Sequence, residues 1–285
     1  MDHQGERISD RDFRRLADLI GAQSGVVISP GKRIMLETRL QKRVRALGLE
    51  SLGAYCDYLH SAAGEREEWP NFIDAITTHK TDFFREPAHF DFLMSHALPL
   101  LAETFGAGSR RPVLVWSAAC STGEEPYTLA MVLSRYRESV APRSYDFRID
   151  ASDISAAVLE TGRLAVYSAA AVRGVPDDLR RKYLMRGKDR SRGLFRIAPE
   201  IRACVHFRRQ NLMDPRYGCA DPYDIVLCRN VMIYFDRETQ QTVLGRISLS
   251  LRHGGYLLMG HSESLNGLDL PLMQVSPTVY RRCDG

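Results

Sequence analysis

The chain has 285 residues, of which 44% are hydrophobic and 26% charged, with a formal net charge of +4, and these values describe an ordinary soluble globular protein of about two domains. No apolar run approaches the ~18 residues of a membrane span and the N-terminus is too polar for a signal peptide, so we expect a cytoplasmic protein without direct membrane insertion. The six cysteines show no C-x-x-C and no other metal-ligand spacing, which predicts free thiols and no bound metal.

The first segment, to about residue 76, is predicted to be helical. Apolar residues recur there at spacings of three and four, and glycine-containing or polar breaks separate the runs. The predicted helices cover residues 12–20, 32–47, 52–59 and 69–76.

The second of these helices carries four cations on the side opposite its apolar residues. They are Arg39, Lys42, Arg43 and Arg45. Spacings of three and four place Arg39, Lys42 and Arg43 together. Such a basic face could dock an acidic helix of a substrate protein, and an ordinary solvated face is the alternative.

Residues 77–87, TTHKTDFFREP, form a polar and aromatic junction after the helical segment. A predicted helix at 90–101 leads from this junction into the first strand. A polar cluster at a domain seam is a natural ligand site, so we interpret 77–105 as linker and seam.

The stretch 113–127, VLVWSAACSTGEEPY, predicts a strand, a turn of small residues and a helix. Its apolar start suits a strand that is buried on both faces of a parallel sheet. Because only Gly123 is present, the turn is not the dinucleotide-binding G-x-G-x-x-G pattern. Glu124 and Glu125 would repel a pyrophosphate at the helix terminus, so they favour a ligand with a cationic group. The alternative is a helix cap without any ligand.

Asp153 follows a second predicted strand, 146–149, and lies 30 residues beyond Gly123. In Rossmann-type sheets an acidic residue at this place holds ribose hydroxyls, and we favour that role here. The alternative is that Asp153 caps the helix predicted at 154–164.

A basic segment, 162–216, follows that helix and holds fourteen Arg or Lys residues against five Asp or Glu. Short alternating stretches at 194–197 and 205–209 predict strands, so we expect a small inserted subdomain. The charge favours an acidic partner, although counting alone supports a solvated arginine-rich face equally well.

The remaining chain is expected to complete a doubly wound α/β sheet. Strands are predicted at 224–228 and 256–259, with a helix from Asp236 to about residue 251 between them. The stretch 274–281 contains a proline and predicts a last edge strand.

Five stretches together resemble the CheR-type chemotaxis receptor glutamate methyltransferases over nearly the whole chain. They are TDFFRE at 81–86, WSAACSTGEEPY at 116–127, ASDI at 151–154, CRNVMIYF at 228–235 and GHSES at 260–264. The order and spacing of five stretches make this a specific resemblance.

The resemblance implies an N-terminal all-helical domain at 1–76 and an S-adenosylmethionine-dependent methyltransferase domain at 106–285, with a small antiparallel β insert at about 165–210. S-adenosylmethionine would be the cofactor and S-adenosylhomocysteine its product. The partners would be the cytoplasmic helices of chemoreceptors, whose glutamates become methyl esters. The insert could also bind a receptor C-terminal tail peptide, although the loop 187–193 lacks the Gly-Pro of familiar tail binders. We expect a monomer and no nucleic-acid partner.

The resemblance also implies roles for individual residues, carried over motif by motif. Arg85 and Tyr234 match residues near the transferred methyl group. The implied cofactor contacts are His79, Thr81, Arg85, Glu125, Asp153, Asn211, Leu212, Arg229 and Asn230. His79 departs from the family, whose familiar members have Asn there, and the charge of an imidazole can vary near neutral pH.

The chemistry of such a reaction explains why no catalytic triad is needed. A glutamate carboxylate has an ordinary pKa of about 4.3, so it is already a nucleophile at pH 7 without a general base. The enzyme must align that carboxylate and remove its water. Two competing classes are a nucleic-acid methyltransferase and a non-catalytic S-adenosylmethionine-binding regulator. The first is disfavoured because residues 228–231, CRNV, lack the proline typical of amino-methylating enzymes, and the second because the motif set is intact.

Overall fold

The computed structural model describes residues 7–140, 145–218 and 221–283. Contacts divide the chain into two compact units, Met1–Thr78 with Tyr234–Thr239 and His79–Ile233 with Gln240–Gly285. The cysteines within the described ranges are free thiols, and Cys219 lies outside those ranges. No helix in the described ranges is both long and apolar enough to cross a membrane.

Five α-helices build the described part of the first unit. They are α1 (Asp10–Ser24), α2 (Arg33–Ala46), α3 (Leu52–Leu59), α4 (Ala62–Glu67) and α5 (Trp69–Ile76). Serines begin three of them, because Ser9, Ser51 and Ser61 each accept a hydrogen bond from a backbone N–H of the first turn. The four predicted helices are confirmed. The sequence pattern does not predict α4, since AAGERE contains no apolar periodicity.

From residue 79 onward the chain alternates helices with strands. A π-helical segment, Leu93–Ala97, joins the first two helices of this part. The helices are α6 (Ala88–Phe92), α7 (Leu98–Phe105), α8 (Glu124–Val140), α9 (Ala156–Leu164), α10 (Asp177–Tyr183), α11 (Pro199–Arg202) and α12 (Arg237–Ser250). The strands are β1 (Val113–Ala118), β2 (Phe147–Asp153), β3 (Val166–Ser168), β4 (Leu184–Arg186), β5 (Leu194–Ile197), β6 (Val205–Arg209), β7 (Tyr223–Cys228), β8 (Leu251–Met259), β9 (Leu272–Ser276) and β10 (Val279–Arg282).

Seven of these strands form one sheet in the order β6-β2-β1-β7-β8-β10-β9. The first five are parallel, and β10 runs antiparallel to both of its neighbours. The predicted doubly wound α/β sheet is therefore confirmed. The chain moves outward from β1 through β2 to β6 and then returns to β7 on the other side of β1. In sheets of this kind, ligands bind where the strand order reverses, at the carboxyl ends of the strands.

The remaining three strands form a separate antiparallel sheet in the order β3-β5-β4, which confirms the expected insert. The expectation that Val205–Arg209 belongs to this insert is wrong. That strand, β6, pairs in parallel with β2 and forms one edge of the main sheet. Its alternating pattern predicts a strand, but the pattern does not encode which sheet supplies the partner.

The expectation of a single last strand at 274–281 is also wrong. The chain there forms two antiparallel strands, β9 and β10, that are joined through Pro277 and Thr278. Proline cannot donate to a strand ladder, and here it lies in the turn rather than within the edge strand β9.

Candidate functional site

Backbone strain marks the loops after β1 and β7 and the loop before α6. Seven described residues other than glycine have a positive φ, and five of them lie before α6, after β1 or after β7. These five are Phe84, Glu86, Ala119, Ser121 and Asn230, with φ between 51° and 58°. Such conformations cost about 1–3 kcal/mol each and cluster where function requires a fixed geometry. The strain in these three loops therefore indicates a candidate binding site there.

Gly123 lets the turn after β1 pass close to its neighbours. Its φ is +98°, and a Cβ at this position would lie 2.9 Å from the Tyr167 hydroxyl oxygen and 3.1 Å from the Cα of Gly162. A side chain here would therefore push the turn out of place and move the start of α8.

Asp153 ends β2 and is almost fully buried beside this turn. One carboxylate oxygen accepts the Ser121 N–H at 2.9 Å, and the other accepts the Ser155 N–H at 3.0 Å. Burial raises the pKa of Asp153, and the two N–H donors oppose that shift. The alternative that Asp153 caps the next helix is wrong, because the side chain of Ser155 accepts the Val158 N–H and caps α9. Each oxygen of Asp153 keeps acceptor capacity for a hydroxyl group.

Two carboxylates begin α8 at the end of the same turn. Glu124 accepts the Thr122 hydroxyl at 2.6 Å, and burial raises its pKa. Glu125 accepts the Ser117 hydroxyl at 2.7 Å, and its second oxygen lies 3.5 Å from a guanidinium nitrogen of Arg229. Burial also raises the pKa of Glu125, while Arg229 acts in the opposite direction. Buried carboxylates at this strand end suit a ligand with a cationic group, as the sequence predicts.

Arg229 follows β7 directly and is buried among oxygen atoms of the site. Its Nη2 donates to the carbonyl of Arg85 and lies 3.3 Å from the Glu86 carboxylate, while Nη1 faces Glu125. The guanidinium carbon lies 5.8 Å from the centre of the Phe90 ring. Its Nε has no hydrogen-bond partner among the described residues. Because buried polar atoms are normally paired, this incomplete pairing is typical of a site that a ligand completes.

The junction before α6 brings three predicted site residues to the second unit. Arg85 is half-buried, and its guanidinium donates to a backbone carbonyl of the same loop at 3.2 Å. The carbonyl of His79 accepts the Ser121 hydroxyl at 2.9 Å, and a charged His79 imidazole would lower the pKa of Asp153. Thr81 is half-buried. The loop is thus tied to the turn after β1.

Glu263 holds the loop after β7, and the sequence analysis did not identify it. Its carboxylate accepts the backbone N–H groups of Asn230 at 2.8 Å, Gly260 at 2.6 Å and Met232 at 2.8 Å. A Cβ at residue 260 would lie 2.4 Å from the Asn230 side-chain nitrogen, so this close approach requires glycine. The sequence feature that indicates Glu263 is an acidic residue in GHSES, directly after a predicted strand. Glu263 positions Asn230 rather than presenting itself to a ligand.

Asn211 and Leu212 follow β6 at the neighbouring strand end. The Asn211 side chain accepts the Met213 N–H at 2.9 Å, and Leu212 is buried. The preceding residue, Gln210, donates its N–H to the carbonyl of Asp153 at 3.0 Å. The fold therefore brings the predicted Asn-Leu pair to the predicted ribose ligand, from separate parts of the sequence.

Tyr234 belongs to the first unit by its contacts. It ends a short 3₁₀ helix, Met232–Tyr234, and its carbonyl accepts the Val27 N–H at 2.9 Å. The Lys32 ammonium lies 5.7 Å from the centre of its half-buried ring. The role of Tyr234 near the transferred methyl group stays a prediction.

The four cations of α2 do not share one environment. Arg39 donates to two backbone carbonyls at the C-terminal end of α5, and Arg43 forms a bidentate pair with Glu68 at 2.7 and 2.8 Å. Lys42 and Arg45 are exposed. Arg39 and Arg43 therefore stabilise the helical unit itself. Docking of a substrate by Arg39, Lys42, Arg43 and Arg45 stays a prediction.

The residues at the carboxyl ends of β2, β1 and β7 fit the cofactor that the resemblance implies. S-adenosylmethionine offers a ribose diol, an ammonium group and a carboxylate. Asp153 has acceptor capacity for the diol, and Glu125 is a largely buried carboxyl group for the ammonium group. Arg85 and the incompletely paired Arg229 are cations of the kind that bind a carboxylate. The chemistry of the set therefore matches the three polar parts of the cofactor.

Comparison with known proteins covers both parts of the chain. A family model described as "CheR methyltransferase, SAM binding domain" matches residues 79–281, and one described as "CheR methyltransferase, all-alpha domain" matches residues 11–77. The chemotaxis protein methyltransferase of Salmonella typhimurium is 38% identical over 273 residues, which cover 96% of this chain and 90% of that protein. The chemotaxis protein methyltransferase of Borreliella burgdorferi is 34% identical over 275 residues, which cover 96% and 95%. Among solved structures, magnesium protoporphyrin IX methyltransferase from Synechocystis with bound SAH matches at 16% identity and a low TM-score of 0.30, over 71% of this chain and 68% of that one.

Proposed function

The chain belongs to the CheR methyltransferase family, whose matched domain binds S-adenosylmethionine, and on that premise we propose that it methylates glutamate side chains of chemotaxis receptors. The products would be glutamate methyl esters and S-adenosylhomocysteine. The observation that carries the proposal is a set of two arginines and two largely buried carboxylates, near the carboxyl ends of β1, β2 and β7 and in the loop before α6. This set comprises Arg85, Glu125, Asp153 and Arg229.

Each part of the cofactor is assigned its own contacts in this proposal. Asp153 would accept the ribose hydroxyls, and Glu125 would face the ammonium group. Thr81 and Arg85 would touch the methionine part, and Asn211 with Leu212 would lie beside the adenine. The further cofactor contacts would be His79, Arg229 and Asn230. When bound, S-adenosylmethionine supplies a methyl group that is activated by the positive charge on its sulfur.

The substrate carboxylate needs orientation rather than activation. It is ionised at neutral pH, so no proton has to be removed before it attacks. Arg85 is half-buried and, among the described residues, its guanidinium donates one hydrogen bond, within its own loop, which leaves other N–H groups for an incoming carboxylate. A tight grip would weaken the nucleophile, so we assign Arg85 an orienting role. Tyr234 would place its hydroxyl at the same carboxylate.

Methyl transfer from radiolabelled S-adenosylmethionine to membranes that contain chemoreceptors would test this proposal. We expect label on the receptor that mild base releases as methanol, because a carboxyl methyl ester is base-labile whereas an N-methyl group is not. Receptor whose methylated glutamates are replaced by alanine is the control. Label on added nucleic acid would support the nucleic-acid methyltransferase instead. Cofactor binding without transfer to any receptor would support a regulatory protein.

A further inference from the structure

Three potential metal ligands from distant parts of the chain meet beside Arg229, within the second unit. They are Glu86 before α6, His89 on α6 and His261 after β8. The Glu86 Oε2 lies 3.6 Å from Nδ1 of His89 and 3.9 Å from Nε2 of His261. One ligand atom from each residue lies within 4.8 Å of the others.

Hydrogen bonds determine which nitrogen of His89 carries the proton. Its Nε2 lies 2.8 Å from the hydroxyl oxygen of Thr278, and that hydroxyl donates its own proton to the carbonyl of Pro277 at 2.7 Å. The hydroxyl can therefore only accept from His89, so Nε2 is protonated and Nδ1 of the neutral ring presents a lone pair. Metal-binding histidines are held in this way, with the second ring N–H given to an oxygen.

The lone pair of His89 points into the cluster without a protein partner. The residue is 2% exposed and its Nδ1 has no hydrogen-bond partner among the described residues, while the Oε2 of Glu86 has no hydrogen bond there and only the ion pair with Arg229. Two electron-rich atoms therefore face one another in a buried place where pairing is the rule. His261 adds a third ligand atom from the solvent side, since its side chain is 56% exposed and its Nε2 lies 3.9 Å from the same oxygen of Glu86.

The positive charge of Arg229 disfavours a cation in this cluster. Its Nη2 lies 3.3 Å from the same Oε2 of Glu86, so the guanidinium and a bound cation would compete for that oxygen. Arg229 has other acceptors, namely the carbonyl of Arg85 and the carboxylate of Glu125, and can therefore release Glu86. Occupation of the cluster would strengthen the pairing of Arg229 with Glu125, which is a proposed cofactor contact.

We propose that Glu86, His89 and His261 bind a zinc-class divalent cation. Two imidazoles and one carboxylate suit Zn²⁺ or Co²⁺ better than Mg²⁺ or Ca²⁺, which prefer oxygen ligands. Three protein ligands leave a fourth coordination position open on the exposed side of His261. A small inward movement of that side chain would bring the ligand atoms to the spacing that tetrahedral coordination requires.

Metal titration of the full-length protein tests this site without using methyl transfer. The protein is first stripped with a chelator, which is then removed, and is titrated with Zn²⁺ by calorimetry and with Co²⁺ by visible absorption. We expect one equivalent to bind, with visible Co²⁺ bands of a four-coordinate nitrogen and oxygen site. His261→Ala should weaken binding at least about tenfold, since a ligand matters no less than the outer-shell groups that cost 10–100-fold. That variant should fold, because His261 is exposed.

His96→Ala is the matched control, because it removes another exposed histidine that lies outside the cluster. It should bind both metals as the wild type does. Three results would overturn the proposal. They are no binding at millimolar metal, wild-type affinity in His261→Ala, or an intense near-ultraviolet thiolate-to-cobalt band, which would assign the metal to a cysteine.

Discussion

The two units each contain a buried arginine–carboxylate network, but the two networks are paired to different degrees. In the helical unit, Glu68 is 1% exposed and accepts two hydrogen bonds from Arg43 and one from the Tyr55 hydroxyl at 2.9 Å. In the α/β unit, Arg229 lies 3.3 Å from one carboxylate and 3.5 Å from another. Among the described residues, every buried side-chain nitrogen and oxygen of the first network is hydrogen-bonded, whereas the second leaves Nε of Arg229 and Oε2 of Glu86 without a hydrogen bond.

The acid groups of the two networks show the same contrast in their pKa values. Burial acts to raise the pKa of Glu68, but the hydrogen bonds from Arg43 and Tyr55 outweigh it and the pKa falls below its ordinary value. Burial of Glu125 outweighs its partners, so the pKa of that group rises. We call the Arg43–Glu68–Tyr55 network saturated, because all of its buried polar side-chain atoms are hydrogen-bonded, and the Arg229 network unsaturated. A saturated network stabilises the unit that contains it, and an unsaturated one keeps hydrogen-bonding capacity for a ligand. The same residue types can therefore serve structure in one place and binding in another.

Breaking the saturated network should have the largest effect. We expect Glu68→Gln to lower the free energy of unfolding by about 3 kcal/mol, because it leaves Arg43 without its charged partner. The lowered pKa of Glu68 means that its contribution is present above the unfolded-state pKa and is lost as pH falls through the folded-state pKa. The difference in the free energy of unfolding between wild type and variant should therefore be smaller at acidic pH. Denaturant unfolding at neutral and acidic pH would measure it, with Glu67→Gln at the adjacent exposed position as control. Equal stability of the two variants at neutral pH would contradict a structural role for this network.

Arg85→Ala should affect turnover rather than folding. We expect kcat to fall about 100-fold, or about 2.7 kcal/mol, because a positioned donor at the reacting carboxylate is lost. The free energy of unfolding should change by less than about 0.5 kcal/mol. Lys80→Ala removes a neighbouring exposed cation but keeps the carbonyl to which Arg85 donates, so it controls for charge alone. A similar loss of turnover in both variants would show that Arg85 acts only through its charge.

The next effect in size should be on cofactor affinity at Asp153. Asp153→Asn keeps an acceptor for one of the two N–H groups but loses the charge that a ribose diol would meet, so we expect binding of S-adenosylhomocysteine to weaken by about 1.5–3 kcal/mol. Alanine is a poorer probe, because it would leave the N–H groups of Ser121 and Ser155 unpaired. Calorimetry of Asp153→Asn beside Asp150→Asn, a control on the same strand, would measure the difference. Unchanged affinity in both would remove Asp153 from the site.

The smallest effect concerns the two cations of α2 that lie outside the saturated network. Lys42→Glu with Arg45→Glu should raise the KM for a receptor helix fragment a few-fold at low salt. The difference from wild type should narrow at high salt, because exposed charges are screened within about 8 Å at physiological ionic strength. Arg11→Glu with Arg14→Glu makes the same change in net charge on exposed positions of α1. If both double variants raise KM equally, net charge rather than a docking face explains the effect.

The sequence by itself determined most of the elements and the chemistry of the site. Helices at 52–59 and 69–76 are predicted with their observed ends, because apolar periodicity and end signals are local properties. The strand, turn and helix of 113–127 follow from composition, since a buried parallel strand is apolar throughout. The positions of Asp153 and Arg229 at strand ends are also predicted, because each residue follows a predicted strand.

Tertiary structure alone decided which groups become partners. Strand β6 joins the main sheet rather than the insert, and Arg39 turns to the end of α5 rather than to solvent. His261 reaches Glu86 across 175 residues of sequence. Local patterns encode the face on which a side chain lies, whereas strand pairing and buried ion pairs depend on contacts that form only when distant segments close together. Complete pairing of a polar network is a property of those contacts, so it distinguishes Arg43, whose carboxylate partner is fully hydrogen-bonded, from the incompletely paired Arg229.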